Sequence, residues 1–228
     1  MFERAHHQRI QSVLAKLNTA FLLENQCYFG GGTAIVLLLH EYRESLDIDF
    51  LCASQAGYSA LRNTIDNASL GAILAQPVKI LREIRADRYG IRTYLEIDGQ
   101  PIKFEIVRED RIALYGETDP GIGVPLLSRT DMYAEKLLAN ADRFNDNATA
   151  NRDIIDLAMM IEHWGDIPAE AWEKTRRPYG ASVDKAFNMA IARLSNPEHL
   201  ASCLARMHMD HALAERIPAL LERNAPKE

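Results

Sequence analysis

The spacing of apolar residues predicts a chain whose first part contains a sheet and whose last part is helical. Apolar positions recur every three or four residues over 4–24, which favours an amphipathic helix, and alternate with polar positions over 46–52, which is typical of a strand. The same patterns predict further strands over 26–29, 78–85, 91–97 and 101–107, and further helices over 33–42, 57–75, 130–144, 152–164, 168–175, 182–194 and 197–223.

Glycine and proline divide this pattern. Asp98-Gly99 predicts a tight hairpin turn, and Gly165 predicts the end of a helix. The loop-rich stretch 108–127 predicts a boundary between two domains. We therefore expect an α/β (α+β) fold, with a mixed β-sheet and flanking helices, including an N-terminal helix, over 1–125. A C-terminal helical bundle is expected over 126–228, with the active site in the cleft between the two.

Composition limits the classes of function. The chain is 47% apolar and 25% charged, which excludes a mainly disordered protein. Its 26 basic and 32 acidic side chains give a net charge of −6, which argues against a plain nucleic-acid-binding module but not against an enzyme that carries its own carboxylates. The longest apolar run, 34–39, is far below the roughly 20 residues that span a bilayer, and the N-terminus lacks the apolar core of a secretory signal. With three scattered cysteines, the sequence predicts a cytoplasmic protein with reduced thiols.

A run of glycines and a pair of aspartates form the most informative stretch. Asp47 and Asp49 are two apart on an alternating strand, so their side chains leave the same face with Cα atoms about 6.6 Å apart. A divalent metal would relieve their repulsion, although a solvated strand edge explains the pair as well. A glycine run between a strand and a helix, here 30–32, indicates an anion site at the helix N-terminus, to which Thr33 would add a cap and a hydroxyl.

A third carboxylate lies on a later strand. In the sequence IKFEIV, Glu105 shares a face with Lys103, opposite the apolar positions. If this strand lies beside the aspartate strand, Glu105 is a third metal ligand. The alternative is an exposed ion pair between strands.

These residues match a known family. The sequence Gly31-Gly32-Thr33, followed by Arg43-x-Ser45-x-Asp47-Ile48-Asp49-Phe50, resembles the nucleotidyltransferases of the AbiEii/AbiGii toxin family, within the polymerase-β-like nucleotidyltransferase superfamily. A downstream match adds Lys136 on a helix and the start of the next helix, Arg152-Asp153-x-x-Asp156. The resemblance covers roughly residues 25–165.

The resemblance implies a metal-dependent site. Asp47 and Asp49, with Glu105 as third carboxylate, would hold one or two Mg²⁺ ions, or Mn²⁺, on a bound nucleoside triphosphate. The glycine turn, Gly31, Gly32 and Thr33, would cradle its β- and γ-phosphates. The catalytic residues it implies are Asp47, Asp49, Glu105 and Lys136.

Supporting roles are implied for the rest of the motif. Arg43 would support the acidic strand or touch phosphate, and Ser45 would fix the turn before it. Lys136 would contact nucleotide phosphate. Asp153 suits the first turn of its helix, whereas Asp156 lies deeper in an apolar helix and needs a cationic partner such as Lys136, Arg143 or Arg152. That ion pair is either structural or positions the nucleotide-binding lysine.

Other candidates have simpler explanations. The histidines at 6–7, 208 and 211 are expected on the solvated surface rather than in a metal site. The basic stretch 174–179 is expected to be a solvated helix end rather than an RNA track.

The sequence thus predicts an enzyme that transfers a nucleoside monophosphate from a nucleoside triphosphate to an acceptor. The family setting implies the toxin of a bacterial toxin–antitoxin or phage-defence system, with tRNA as an acceptor and a cognate antitoxin protein as a partner, and no membrane. Two alternatives stay open. One is transfer to a protein or a small molecule, and the other is a non-catalytic module that binds a partner.

Overall fold

Residues 2–226 are described by the computed structural model, and their strands form one eight-stranded sheet. The strands are β1 (Cys27–Gly30), β2 (Ile48–Cys52), β3 (Lys79–Ile80), β4 (Arg85–Ala86), β5 (Gly90–Ile97), β6 (Gln100–Arg108), β7 (Gly116–Thr118) and β8 (Pro125–Leu127). Their order is β3-β5-β6-β2-β1-β8-β7, and β4 also pairs with β5. The β2–β6 and β1–β8 pairs are parallel, whereas β1–β2, β5–β6, β3–β5, β4–β5 and β7–β8 are antiparallel. The predicted mixed sheet is therefore confirmed.

The alternating strands bury one face of this sheet. Phe29, Phe50 and Phe104 lie on neighbouring strands, are fully buried, and stack with ring centroids 5.4 and 5.9 Å apart. Such aromatic contacts between strands stabilise a sheet by roughly 0.5–1.5 kcal/mol each beyond the area they bury. Since successive side chains on a strand point to opposite faces, this ladder directs the polar residues between the apolar ones to the other face.

The predicted hairpin turn is confirmed. Asp98 and Gly99 both have positive φ, 51° and 73°, as a two-residue turn of type I′ requires. The turn joins β5 to β6 and fixes their register, in which Arg92 lies opposite Glu105.

The helices before the hairpin are shorter than the sequence predicts. They are α1 (Ala5–Leu14), α2 (Thr19–Glu24), α3 (Gly31–Leu38) and α4 (Gln55–Asn63). The single helix predicted over 4–24 is wrong, because Leu17 makes a β-bridge to Leu74 and Asn18 caps α2 by accepting from the Phe21 N–H. The helix predicted over 57–75 likewise ends at Asn63.

The later part of the chain is helical, as predicted. Its helices are α5 (Arg129–Arg143), α6 (Arg152–Trp164), α7 (Ala169–Tyr179), α8 (Ser182–Leu194), α9 (Pro197–Arg206) and α10 (Ile217–Asn224). Gly165 ends α6 with φ 95°, as predicted. The helix predicted over 197–223 is interrupted, because His208 adopts a positive φ of 54° and Asp210 caps a separate 3₁₀ turn.

The chain forms two compact units. The sheet unit contains the residues up to Leu37 together with Ser45–Ser128, and the helical unit contains Leu38–Glu44 together with the residues from Arg129 onward. No periodic pattern in the sequence indicated that Leu38–Glu44 belongs with the later helices. Among residues 2–226, no helix has the length and apolar character that crossing a bilayer requires.

Candidate active site

The acidic strand lies at the centre of the sheet unit. In β2, Ile48 and Phe50 are fully buried, and Asp49 between them points to the opposite face and is partly exposed. Backbone register places Asp49 opposite Gly30 on one side and opposite Glu105 on the other. Continued through β5 and β4, this register forms one row across five strands: Gly30, Asp49, Glu105, Arg92 and Arg85.

Gly31 lies against the carboxylate of Asp49. A Cβ added to Gly31 would lie 2.9 Å from Asp49 Oδ2, and its φ is +66°, a conformation that favours glycine. Helix α3 begins at this residue, directly after β1. The first backbone N–H groups of a helix lack partners within it and carry the positive end of its dipole. Glycine at 31 therefore leaves room beside a carboxylate where these N–H groups begin.

The Thr33 hydroxyl makes two contacts within the protein. Its side chain is 1% exposed, and its hydroxyl donates to the backbone carbonyl of Asp47 at 2.5 Å. The Ser45 hydroxyl lies 2.7 Å from the Thr33 hydroxyl oxygen and can donate to it while Thr33 donates to Asp47. In the structure the Thr33 side chain thus fixes the segment that carries Ser45 and Asp47. The predicted contact between the Thr33 hydroxyl and phosphate, and the predicted role of Ser45, stay predictions.

His7 is a site-supporting residue that sequence reasoning placed wrongly on the surface. It is fully buried, and its Nε2 accepts the backbone N–H of Ser45 at 3.2 Å. The neighbouring His6 lies 2.9 Å from the carbonyl of Leu46 through Nε2. The signal was present, because His7 lies three and seven residues before the buried Ile10 and Leu14.

Glu105 lies beside Asp49, as the hypothesis of a third carboxylate required, but its two oxygens bind cations. Oε1 accepts from Arg92 Nε at 2.5 Å, and Oε2 accepts from Lys103 Nζ at 2.6 Å. Burial alone would raise the pKa of Glu105, but the hydrogen bonds from Lys103 and Arg92 outweigh it and hold the pKa below its usual range. Glu105 is therefore ionised at neutral pH.

Lys103 connects Glu105 with the aspartates. Burial alone would lower the pKa of Lys103. The hydrogen bond to Glu105 and the negative charges of Glu105, Asp47 and Asp49 raise it overall. Both aspartates are thus close enough to Lys103 for their charges to act on it.

The carboxylates fit a metal ion only in part. Within the described part of the chain, no three His, Cys, Asp or Glu side chains are grouped so that they could hold a metal. Glu105 is held by Arg92 and Lys103, and its predicted part as a third metal ligand stays a prediction. Asp47 and Asp49 remain, and two hard carboxylate ligands completed by substrate phosphates are a usual donor set for Mg²⁺.

Lys136 takes part in a buried ion network in the helical unit. Its Nζ lies 2.9 Å from Asp153 Oδ1 and 2.6 Å from Asp156 Oδ2, and its side chain is 6% exposed. Arg143 binds Asp153 with Nε at 2.6 Å and Nη2 at 2.9 Å. Burial would raise the pKa of Asp153, but Lys136 and Arg143 hold it well below its ordinary value.

Arg43 completes this network from the other end. Its Nε and Nη2 bind Asp156 at 2.7 and 2.9 Å, and the Tyr42 hydroxyl donates to the same carboxylate at 2.6 Å. Burial would raise the pKa of Asp156, but Arg43 and Lys136 lower it overall. The predicted cationic partner of Asp156 is thus confirmed in Lys136. Arg43 binds this carboxylate of the helical unit, and its predicted roles toward the acidic strand and phosphate stay predictions.

The remaining candidates form local contacts. His208 lies 3.0 Å from the Glu44 carboxylate. In the predicted basic stretch, Lys174 bonds to Asp131 and Arg176 bonds to Asp184. The cysteines are buried and free of disulfides.

Comparison with known proteins identifies a family for nearly the whole chain. The family described as nucleotidyl transferase AbiEii toxin, type IV toxin–antitoxin system, matches residues 12–223. The crystal structure of JHP933 from Helicobacter pylori has a TM-score of 0.54 at 15% identity, covering 99% of this chain and 94% of that one. A second H. pylori structure, provisionally assigned as a nucleotidyltransferase, has a TM-score of 0.52 at 15% identity, covering 96% and 93%. Among curated proteins, no sequence matches significantly.

Proposed function

Because the chain belongs to the AbiEii nucleotidyl transferase toxin family of type IV toxin–antitoxin systems, and is accordingly a nucleotidyltransferase, we propose that it transfers a nucleoside monophosphate from a nucleoside triphosphate to an acceptor hydroxyl. The observation that carries the proposal is the position of Asp49, opposite Gly30 and against Gly31 at the start of α3. A carboxylate and a helix N-terminus meet there without an intervening side chain. This arrangement suits a metal–triphosphate complex.

Each residue of the motif then has a role. The backbone N–H groups at Gly31 and Gly32 bind the phosphates that leave as pyrophosphate. Asp47 and Asp49 hold Mg²⁺, or Mn²⁺, which neutralises charge on the triphosphate when bound. The hydrogen bonds from Thr33 and Ser45 keep the Asp47 segment in place. The acceptor oxygen forms a bond to the α-phosphorus while the bond from that phosphorus to the pyrophosphate oxygen breaks, and the proton of the acceptor hydroxyl is released to solvent.

Glu105 acts on the acceptor in this proposal. Arg92 and Lys103 keep its carboxylate ionised, so it accepts a hydrogen bond from the attacking hydroxyl. Its depressed pKa makes it a weak base, and its main contribution is to orient that hydroxyl.

Lys136 keeps a role toward phosphate. A lysine ammonium has three donors, and two of them face Asp153 and Asp156. We assign the third donor to the nucleotide. The network with Arg43 and Arg143 positions Lys136 for that contact.

We further propose tRNA as the acceptor, a cognate antitoxin as the regulator and the cytoplasm as the setting, all suggested by the family. The chain's net charge of −6 favours a second candidate acceptor, a protein or small molecule, because RNA binding favours a basic surface. A non-catalytic, partner-binding module is the remaining alternative.

Incubation with Mg²⁺, each α-labelled nucleoside triphosphate in turn and total bacterial RNA tests these proposals. Label in an RNA band with the wild type, but not with Asp49→Asn, is expected. The matched control is Asp98→Asn, an exposed carboxylate in a turn where asparagine tolerates the positive φ of 51°. Label on a protein band would indicate that the acceptor is a protein. No label anywhere, with no metal-dependent nucleotide binding, would support the non-catalytic alternative.

A further inference from the structure

The row that contains Asp49 continues into a basic surface of the sheet unit. Residues 79–94 carry five cationic and two acidic side chains, although acidic groups exceed basic ones in the chain as a whole. Arg82, Arg85 and Arg88 in this segment are exposed. We call the following residues the arginine–tyrosine face: Arg82, Arg85, Arg88, Tyr89, Arg92 and Tyr94.

Two aromatic rings on this face stack with arginines. The guanidinium carbon of Arg82 lies 4.3 Å from the ring centroid of Tyr94, and that of Arg88 lies 4.5 Å from the ring centroid of Tyr89. Tyr89 is 57% exposed, far more than an aromatic residue that serves the core. Each arginine–tyrosine pair presents a cationic group beside an aromatic ring, and both can stack with a nucleic-acid base.

Register connects these residues with the carboxylates. Arg92 lies opposite Glu105, which lies opposite Asp49, and Arg85 lies opposite Arg92. With neighbouring strands about 4.8 Å apart, the backbone at Arg92 is roughly 10 Å from that at Asp49, and the backbone at Arg85 roughly 14 Å. Within this row, positive charge begins at Arg92, one strand beyond Glu105, and continues to Arg85 on β4.

Toward the residues that the structure describes, the side chain of Arg85 makes no polar contact that stabilises the fold. Among residues 2–226, the structure gives its side chain no ion pair or hydrogen bond, whereas Arg92 bonds to Glu105 and Asp87. An exposed arginine without a partner, in register with a row of charged residues, has its donors available for a phosphate.

We infer that the arginine–tyrosine face binds a single-stranded nucleic-acid segment of the acceptor, whose phosphodiesters contact Arg82 and Arg85 and whose base stacks on Tyr89. This inference rests on the proposed nucleotidyl transfer, since a nucleic acid bound along this row of residues would extend toward Glu105 and Asp49. An acidic protein bound to this face would pair with the arginines but would offer no flat ring to stack on the exposed tyrosine. The stacking therefore favours nucleic acid.

Fluorescence anisotropy of a short labelled single-stranded RNA, without nucleotide or metal, tests the inference independently of transfer. The double variant Arg82→Gln/Arg85→Gln should weaken binding about tenfold and reduce the slope of log affinity against log salt by about 1.4. Tyr89→Ala should weaken binding by roughly 5- to 150-fold, whereas Tyr89→Phe, which keeps the ring, should retain most of it. The charge control is Lys185→Gln on α8, an exposed lysine of the helical unit, which removes one charge and is compared with Arg85→Gln alone.

The outcomes separate this inference from the proposed function. Unchanged RNA affinity in the double variant, or a loss in Lys185→Gln equal to that in Arg85→Gln, would overturn the assigned face and leave nucleotidyl transfer intact. Displacement of RNA by oligo-glutamate as effectively as by unlabelled RNA would assign the face to an acidic protein instead. RNA binding that depends on the face, in a protein that transfers no nucleotide, would overturn the function and not the surface.

In the transfer assay, the double variant should raise the KM for RNA about tenfold while the KM for the nucleoside triphosphate stays unchanged. A change in the nucleotide KM alone would contradict the inference.

Discussion

Arg43 and Asp156 lie 113 residues apart in the chain and form a buried, bidentate ion pair. Arg43 is 5% exposed and Asp156 is not exposed at all. Lys136 and the Tyr42 hydroxyl bind the same carboxylate, so two cations and one hydroxyl share it. Removing one member leaves charge buried without its partner, which costs more than the intact network contributes.

Asp156→Ala should therefore lower the free energy of unfolding by about 3–5 kcal/mol, because Arg43 and Lys136 lose their shared counter-ion. Urea denaturation followed by circular dichroism measures the change. The control is Asp184→Ala, which removes the partner of Arg176 in a more exposed ion pair and should cost at most about 1 kcal/mol. Equal losses of unfolding free energy in the two variants would show that the buried network contributes no more to stability than an exposed ion pair.

The pH dependence of stability follows from the same carboxylates. Asp153 and Asp156 have folded-state pKa values below the ordinary 3.8, so their contribution is complete above that value and is lost as the pH falls through it toward the folded-state pKa. Unfolding free energies measured by urea denaturation from neutral pH downward should decrease steeply in this acidic range. The Asp153→Asn variant should show a shallower decrease. A slope as steep as that of the wild type would contradict this account.

Gly31→Ala separates backbone strain from the contact with Asp49. Gly31 and Gly99 both have positive φ, +66° and +73°, but only at Gly31 would a Cβ meet a neighbour within 4 Å. Each substitution should lower stability by roughly 1–2 kcal/mol through strain. Only Gly31→Ala should abolish metal-dependent nucleotide binding, measured by isothermal titration calorimetry. Similar nucleotide affinity in Gly31→Ala and Gly99→Ala would show that Gly31 is not part of the nucleotide site.

His7 should position the Asp47 segment through Ser45. His7→Leu leaves the Ser45 N–H without its acceptor, which should lower stability by about 1–3 kcal/mol and also reduce kcat. His7→Gln restores an acceptor and should recover part of both. Steady-state kinetics with the labelled nucleotide give kcat and KM separately. If kcat stays at the wild-type level in His7→Leu while stability falls, His7 is purely structural.

Much of the fold could be predicted from the sequence because short-range periodicity determines it. The alternation around Asp49 and the turn at Asp98-Gly99 specify strands whose polar face is acidic at the centre. The α6 boundaries followed from its apolar spacing and from Gly165. Only the register in the structure placed Glu105 beside Asp49, since pairing between distant strands leaves no local pattern.

The parts that could not be predicted depend on distant contacts or on local caps. Nothing near Arg43 in the sequence indicates its partner Asp156. The break between α1 and α2 needs Leu74 as a bridge partner, and a helical pattern continues across it in the sequence. His7 could have been assigned to the core from its spacing with Ile10, but its hydrogen bond to Ser45 could not.

Because the segment Leu38–Glu44 belongs to the helical unit, neither unit is a single continuous stretch of the sequence. The chain leaves the sheet unit after Leu37, joins the helical unit, and returns at Ser45 before leaving again after Ser128. A fragment that ends at Ser128 would keep Arg43 but discard its counter-ion, and would expose the apolar residues around it. A single proteolytic cut after Ser128 would therefore leave residues 38–44, which group with the helical unit, attached to the sheet fragment.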